Sequence, residues 1–347
     1  MTDTATNPAT LSELLKLSGS QYRLYDIGRL VNKLPKEQFE KVELNQLPYP
    51  TPVQGHACIA IAFWQKQSPQ PYLWILKLPL DERGLLNQGA RNHFIAIIIE
   101  ALGADLTQET SKKQEELLSS NPYLFTPAQY KLASLNSKIK VDLKQSPGEH
   151  FSTFKEYLSN SHWDKWQHIG VQGITDLVAN IQDTNICDLL IRALPHLPSE
   201  VLSPVCGALE NETFHISLIE TLIKLFNLAL IEENDTAKAQ QLLRALSANA
   251  NHVHVVKLIE DLLSHKQVDT DLLIIISARC WQSLADEKIL ISYFEQLLLN
   301  DDLTMFSSIF KDLVSIPQIR PFALQCIRNE SRSPALANAI GQLFRQS

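Results

Sequence analysis

The stretch DTAKAQQLLRALSANANHVHVVKLIEDLL, residues 235–263, decides the fold class. Asp235 is a helix-capping residue type, and after it Leu242, Leu243 and Leu246 recur three and four residues apart. Val255, Leu258, Ile259, Leu262 and Leu263 repeat that spacing. Two helices therefore follow one another with no strand between them, each with a face wide enough to be buried on both neighbours. Helix-start signals of the same kind recur before Trp163, near Ser199, Asp235, Asp269 and Asp301, and at Ser333-Pro334, at intervals of about 32 to 36 residues. Each interval holds a helix pair. The pattern predicts at least nine helices and no strand between residues 160 and 347, packed as antiparallel pairs in an all-α helical-repeat domain. The proline-bearing segment Leu197 to Leu209 points to a HEAT-like α-solenoid.

The first part of the chain reads differently. Thr10-Leu11-Ser12-Glu13 opens a short helix closed by Ser18-Gly19, Tyr22 to Ile27 reads as a strand, and a helix follows Leu34-Pro35 to about Leu44. The prolines of Leu47 to Pro52 impose an extended connection. Ala57 to Trp64 and Tyr72 to Leu78, rich in aromatic and branched residues, are predicted to pair as an antiparallel hairpin, because the linker between them is too short for a parallel crossover. A helix from about Gly89 to Leu102, a polar one near Ser111 to Leu118 and one begun by Thr126-Pro127 complete an α+β domain with a small antiparallel sheet of about three strands. The expected division is 1–146 and 147–347, at Lys144-Gln145-Ser146-Pro147-Gly148.

Charge is distributed unevenly. The formal balance is +2 for residues 1–148 and −9 for residues 149–347, within a net charge of −7. An acidic array repels phosphate backbones, so broad nucleic-acid binding is disfavoured, while a basic protein partner is permitted. No stretch reaches 18 uncharged apolar residues and no leader pattern opens the chain, so a membrane span is not expected and a cytoplasmic location is. The window Phe214 to Ile231 is the most apolar and reads as a helix buried between two neighbours. Cys58, Cys187, Cys206, Cys280 and Cys326 are odd in number and lack a C-x-x-C pair, which predicts small core residues rather than disulfides or a metal site.

Residues that could carry chemistry lie mostly in the first part. Asp26 could serve as a general base and Arg29 as an anion clamp at the end of the first strand; a local structural pair explains the same letters. Asp81, Glu82, Arg83 and Gly84 form a charged turn between strand and helix, with Arg91 and His93 close behind, and turns held by rigid elements often bind ligands. His56 and His93 could join Asp26 or Cys58 in a hydrolase-like set, but no nucleophile elbow, zinc motif, P-loop or dinucleotide fingerprint is present. No metal site or cofactor is expected. His252 and His254, two apart on a helix, face different directions. Trp163 and Trp166 with Phe151, Phe154 and Tyr157 form an aromatic cluster able to seal the array or to anchor a peptide. The doublets Glu232-Glu233 and Asp301-Asp302, with Glu260-Asp261 and Asp286-Glu287, either complement helix ends or line an acidic binding surface.

The runs Arg23-Leu24-Tyr25-Asp26-Ile27-Gly28-Arg29, Leu47-Pro48-Tyr49-Pro50, Phe63-Trp64, Leu76 to Leu86 (LKLPLDERGLL) and Asn121-Pro122-Tyr123 resemble those of an uncharacterised gammaproteobacterial family, a domain of unknown function, over nearly the whole chain. That resemblance implies no activity, cofactor or catalytic residue. The expected function is therefore a non-enzymatic adaptor that binds a protein through its array, in a manner weakened by salt. The alternative is a hydrolase-like enzyme with its site in residues 20–95, the array recruiting substrate. A first domain that binds nucleic acid has only the +2 balance behind it. Convergence of Asp26, Arg29, Asp81, Arg83 and His93 in one cleft would favour the enzyme.

Overall fold

The computed structural model describes residues 8–65, 71–103, 105–106, 111–299, 303–330 and 332–343. The chain divides into two compact units, residues 1–127 with 315–317, and residues 128–314 with 318–347.

In the first unit, α1 (Leu11–Leu17) starts where the Thr10 side chain accepts a hydrogen bond from Glu13 N at 3.1 Å, and it stops before Gly19, whose φ of +70° suits a residue without a Cβ. There follow β1 (Gln21–Asp26), β2 (Asn32–Leu34), α2 (Lys36–Glu43), β3 (His56–Trp64) and β4 (Tyr72–Pro79). Every pairing in the sheet is antiparallel, in the order β2-β1-β3-β4. The expected β3–β4 hairpin forms, with Ile61 opposite Trp74, while residues 66–70 of its linker lie outside the described residues. The sheet has four strands, not about three. The added one, β2, is three residues long on the edge, too short to show an alternation. α3 (Gln88–Leu102) and α4 (Lys112–Ser119) complete the unit, α4 opening on a Ser111/Gln114 capping box.

Alternate residues of β3, Ala57, Ile59, Ile61 and Phe63, enter one core with Leu11, Leu15, Phe39, Trp74, Leu76, Phe94 and Ile98. Full burial of each large member contributes roughly 1.5–3 kcal/mol. The Asn121-Pro122-Tyr123 turn has a structural task here. Asn121 Oδ1 accepts from Tyr123 N at 3.0 Å, and the chain then covers the β4 edge through Lys77 N to Tyr123 O (2.8 Å) and Phe125 N to Ile75 O (3.2 Å).

The second unit contains α5 (Gln129–Asp142), α6 (His150–Asn160), α7 (Val171–Val178), α8 (Thr184–Ala193), α9 (Ser199–Leu209), α10 (Ile216–Asn227), α11 (Thr236–Ala245), α12 (Val253–Leu263), α13 (Thr270–Ala278), α14 (Glu287–Leu299), α15 (Leu303–Ser315), α16 (Arg320–Arg328) and α17 (Pro334–Leu343). Among the described residues beyond 160 there are eleven α-helices and no strand. Helices pack on their next-but-one neighbours in two rows. α5, α7, α9, α11 and α13 follow one another in one row, and α6, α8, α10, α12, α14 and α16 in the other. The sequence punctuation falls where expected at α9, at α11 (Asp235 Oδ1 accepting from Lys238 N, 2.9 Å), at α13 (Asp269 Oδ1 from Asp271 N, 3.0 Å) and at α17 (Ser333 Oγ from Leu336 N, 3.1 Å). The start before Trp163 does not hold. Trp166–His168 is a single 3-10 turn, and α7 begins only at Val171.

The units separate at Pro127/Ala128, not at residues 146/147, because α5 packs against α7 and α9. This moves Lys131, Lys138, Lys140, Lys144 and Asp142 into the helical unit and lowers its formal excess from −9 to −6.

Candidate functional site

Asp26 and Arg29 are buried, at 5% and 4% exposure. The Asp26 carboxylate accepts hydrogen bonds from Tyr49 Oη at 2.5 Å, from Gly28 N at 3.0 Å and from Thr51 Oγ1. Tyr49 also donates to Cys58 O at 3.2 Å, and its backbone N donates to Gly84 O at 2.8 Å. Burial, with the neighbouring Asp26 charge, pushes the Tyr49 phenol well above its ordinary value, so it stays a donor. Arg29 Nε donates to Pro52 O at 3.2 Å. Three of the sequence motifs thus meet on one buried tyrosine, and Asp26 is engaged in holding the β1 end to the proline-rich connection.

The turn at Asp81 is held by its own atoms. Asp81 Oδ1 accepts from Leu85 N (2.8 Å) and Arg83 N (2.9 Å), and Oδ2 takes Arg83 Nε and Nη2 at 3.1 and 3.0 Å. The Leu85 backbone bond, with the Arg83 contacts, lowers the Asp81 pKa. Gly84 has φ of +82°, as expected of such a turn, and Glu82 is exposed. His93 is exposed and hydrogen-bonds Tyr123 Oη through Nδ1 at 3.1 Å. Arg91 is 4% exposed and donates to the Glu43 carbonyl at 2.5 Å, to Gln88 Oε1 at 2.9 Å and to Asn92 Oδ1 at 2.8 Å. Asp26 and Arg29 thus share the proline-rich connection, Asp81 and Arg83 bond each other, and the described bonds of Arg91 and His93 go to other partners.

A larger concavity lies in the helical unit, between α10 and α12. α10 runs on into a π turn, Leu228–Glu232, a wide-turn geometry frequent at functional sites. The wider turn breaks the 3.6-residue register, so Ile231, which the sequence places in a buried helix, emerges 67% exposed. The groove has a volume of about 630 Å³ and an apolar floor that includes Ile223, Leu228, Ile231 and Leu258. Its rim carries Glu220, Glu232 and Asp261 against Lys224, Lys257 and His254. Lys257 is tied to Asp261 and Glu260 at 2.9 and 3.2 Å, and Glu220 lies 3.6 Å from His254. Of the acidic set singled out in the sequence, Glu232 lines this groove and Glu233 pairs with Lys238 at 2.9 Å. Asp301 and Asp302 lie outside the described residues. A second groove, of about 460 Å³, lies between α6 and α8, where Trp163 stacks on His196 with ring centroids 6.0 Å apart.

The same unit buries several charges. Glu212, just after α9, lies 3.0 Å from Lys138 Nζ on α5, and burial pushes its carboxyl up to about 7, against the pull of Lys138 and with help from Asp142. An acid with a raised folded pKa loses stability as pH rises from its unfolded value of 4.5 towards about 7. Glu212→Gln is expected to remove about 2 kcal/mol of this decline between pH 5 and 8. Urea titrations at those two pH values check it; an unchanged decline in the variant would refute the assignment. All five cysteines are buried, as expected of small core residues.

No curated protein and no solved structure matches the chain. One family model does, over residues 6–344, a span that takes in both units. In keeping with the sequence resemblance, the chain belongs to the family described as protein of unknown function DUF3549.

Proposed function

We propose that the chain is a non-enzymatic cytoplasmic adaptor whose helical unit is a HEAT-like α-solenoid, and that it holds a basic, amphipathic segment of a partner protein in the α10/α12 groove. The observation that carries this function is the groove itself, an apolar lining with a two-thirds-exposed Ile231, edged by three carboxylates, two lysines and a histidine. An apolar stripe of a partner helix fills such a floor while its lysines or arginines meet the rim. Packing in two next-but-one rows supports the solenoid, since stacked helix pairs pack in this way. No helix among the described residues is long and apolar enough to cross a membrane. The described hydrogen bonds of Asp26, Arg29, Asp81 and Arg83 hold turns and connections of the backbone together, and this structural use weighs against the hydrolase alternative.

Pull-down with mass spectrometry supplies a partner, and titration calorimetry then measures its affinity for the wild type and for variants. Ile231→Asp is expected to weaken binding at least about tenfold, as for a central apolar anchor. Glu232→Lys with Asp261→Lys is expected to weaken it further and to flatten its decline with salt. Wild-type affinity in both variants would remove the groove from consideration.

A further inference from the structure

The most unusual side-chain arrangement in the helical unit lies on the other row of helices, around Glu210. This residue follows α9, is 0% exposed, and uses one oxygen for two guanidinium groups. Its Oε2 accepts from Arg244 Nε on α11 and lies 3.7 Å from Arg279 Nε, just beyond α13. Its Oε1 is enclosed and accepts no hydrogen bond among the described residues. The Arg244 guanidinium lies over the Tyr130 ring of α5, 4.9 Å from the centroid, and Arg279 Nη2 donates to Tyr130 Oη at 3.4 Å.

A pair serving stability alone would use the two-pronged match between guanidinium and carboxylate, which satisfies both oxygens. Here Arg244 engages by Nε, half of the carboxylate goes without a partner, and 27% of the Arg244 side chain and 22% of Arg279 remain exposed. Gly207 lies beneath Arg244, so that even an added Cβ would stand 3.6 Å from Nη2. The guanidinium is thus fixed flat, by a carboxylate at Nε and an aromatic ring on its face. Its terminal Nη1 and Nη2 edge is not used by that carboxylate. Two guanidiniums stand beside one carboxylate, and the neighbouring Cys206 and Cys280 thiols, each pushed up to about 12 by burial, add no negative charge.

We infer that Glu210, Arg244, Arg279 and Tyr130 build an oxyanion-binding site on the α5, α9, α11 and α13 row, which takes a carboxylate or phosphate group through the terminal edge of Arg244. Glu210 and Tyr130 position the guanidinium, Arg244 makes the paired hydrogen bonds, and Arg279 supplies the second positive charge. The site is separate from the α10/α12 groove and does not depend on it.

The test uses the full chain labelled with nitrogen-15 in arginine side chains. Inorganic phosphate and N-acetylglutamate are titrated separately, each against a chloride control of equal ionic strength, while the Arg244 Nε–Hε resonance is followed. Saturable shifts with either anion are expected. Phosphate alone would identify a phosphorylated ligand, and N-acetylglutamate alone an acidic side chain or chain terminus. Arg244→Lys keeps the charge but loses the planar fork, and is expected to raise Kd at least about tenfold by titration calorimetry. Arg279→Lys is the second variant, expected to weaken binding about threefold, and carries the test if Arg244→Lys does not fold. No saturable shift up to about 50 mM of either anion, a range that would reveal even millimolar affinity, overturns the proposal. So does binding that is equal in the wild type and the folded variants.

Discussion

Replacing Asp176 by Ala is expected to destabilise the helical unit by about 3–5 kcal/mol, the usual cost of removing one partner from a buried charge network. Asp176 lies on α7 at 2% exposure and is satisfied from three directions. Ser137 Oγ and Lys140 Nζ of α5 donate at 2.6 and 3.0 Å, Gln172 Nε2 of its own helix at 2.8 Å, and Gly148 N of the α5–α6 connection at 2.7 Å. Gly148 comes so close that a Cβ there would stand 2.8 Å from Oδ2. Truncation would leave the lysine and the backbone N–H without their acceptor. Burial raises the Asp176 pKa, but the hydrogen bonds from Ser137, Gly148, Lys140 and Gln172 outweigh it and hold the carboxyl below its ordinary value. A depressed acid contributes stability above its unfolded pKa, near 3.9, which is lost as pH falls through the folded value. Urea unfolding at pH 7 measures the loss in Asp176→Ala. Asp176→Asn should be milder at pH 7 and should flatten the acid limb of the stability curve. A loss of under about 1 kcal/mol in the Ala variant would mean that the network adds nothing beyond an ordinary exposed contact.

Glu43→Ala is expected to cost the first unit about 3 kcal/mol. Glu43 ends α2 at 0% exposure and reaches the start of α1. Its Oε1 accepts from Leu11 N at 2.6 Å, and its Oε2 from Ser12 N at 3.1 Å and Ser12 Oγ at 2.6 Å. Those are first-turn amides that no bond within α1 satisfies. Burial pushes the Glu43 carboxyl up, the three hydrogen bonds opposing it, so its contribution declines as pH rises from the unfolded value of 4.5 to the folded one. Glu43→Gln keeps an acceptor and removes that pH dependence, and should lose less than Ala at pH 7. Hydrogen exchange separates the effects by unit: Glu43→Ala should deprotect α1 and α2 amides, and Asp176→Ala those of α5 and α7. Equal deprotection of both units by each variant would contradict the assignment of each network to its own unit.

Much of the backbone was legible locally. The hairpin of β3 and β4, the capped starts of α1, α4, α11, α13 and α17, the start of α9 at Ser199, and the absence of strands beyond residue 160 among the described residues all follow from signals that span a few residues. The errors fell where that span was too short or the local register broke. β2 is a three-residue edge strand, Trp166–His168 is a single turn, and the π turn displaces Ile231 from a buried helical face to an exposed one. The Ser146-Pro147-Gly148 break is visible in the sequence, whereas only packing shows that α5 joins the helical unit through contacts with α7 and α9.

The candidate residues divide along the same line. Asp81 and Arg83 were readable as a charged turn, because their partners lie within four residues. Asp26, Arg29 and Arg91 looked reactive, yet they are buried with partners more than twenty residues away, such as Tyr49, Pro52 and the Glu43 carbonyl. Glu43, Asp176 and Glu210 gave no signal at all. By itself, then, the sequence determined the type of the longer helices and strands and the capped starts among them, since periodicity and capping depend on near neighbours and on backbone geometry. The tertiary structure alone decided which charges are buried, which apolar residue lines a groove, and that Glu210 meets Arg244 thirty-four residues on. The reason is physical: the environment of a side chain is set by whatever packs against it, and those partners are brought together by helix stacking rather than by proximity in the chain.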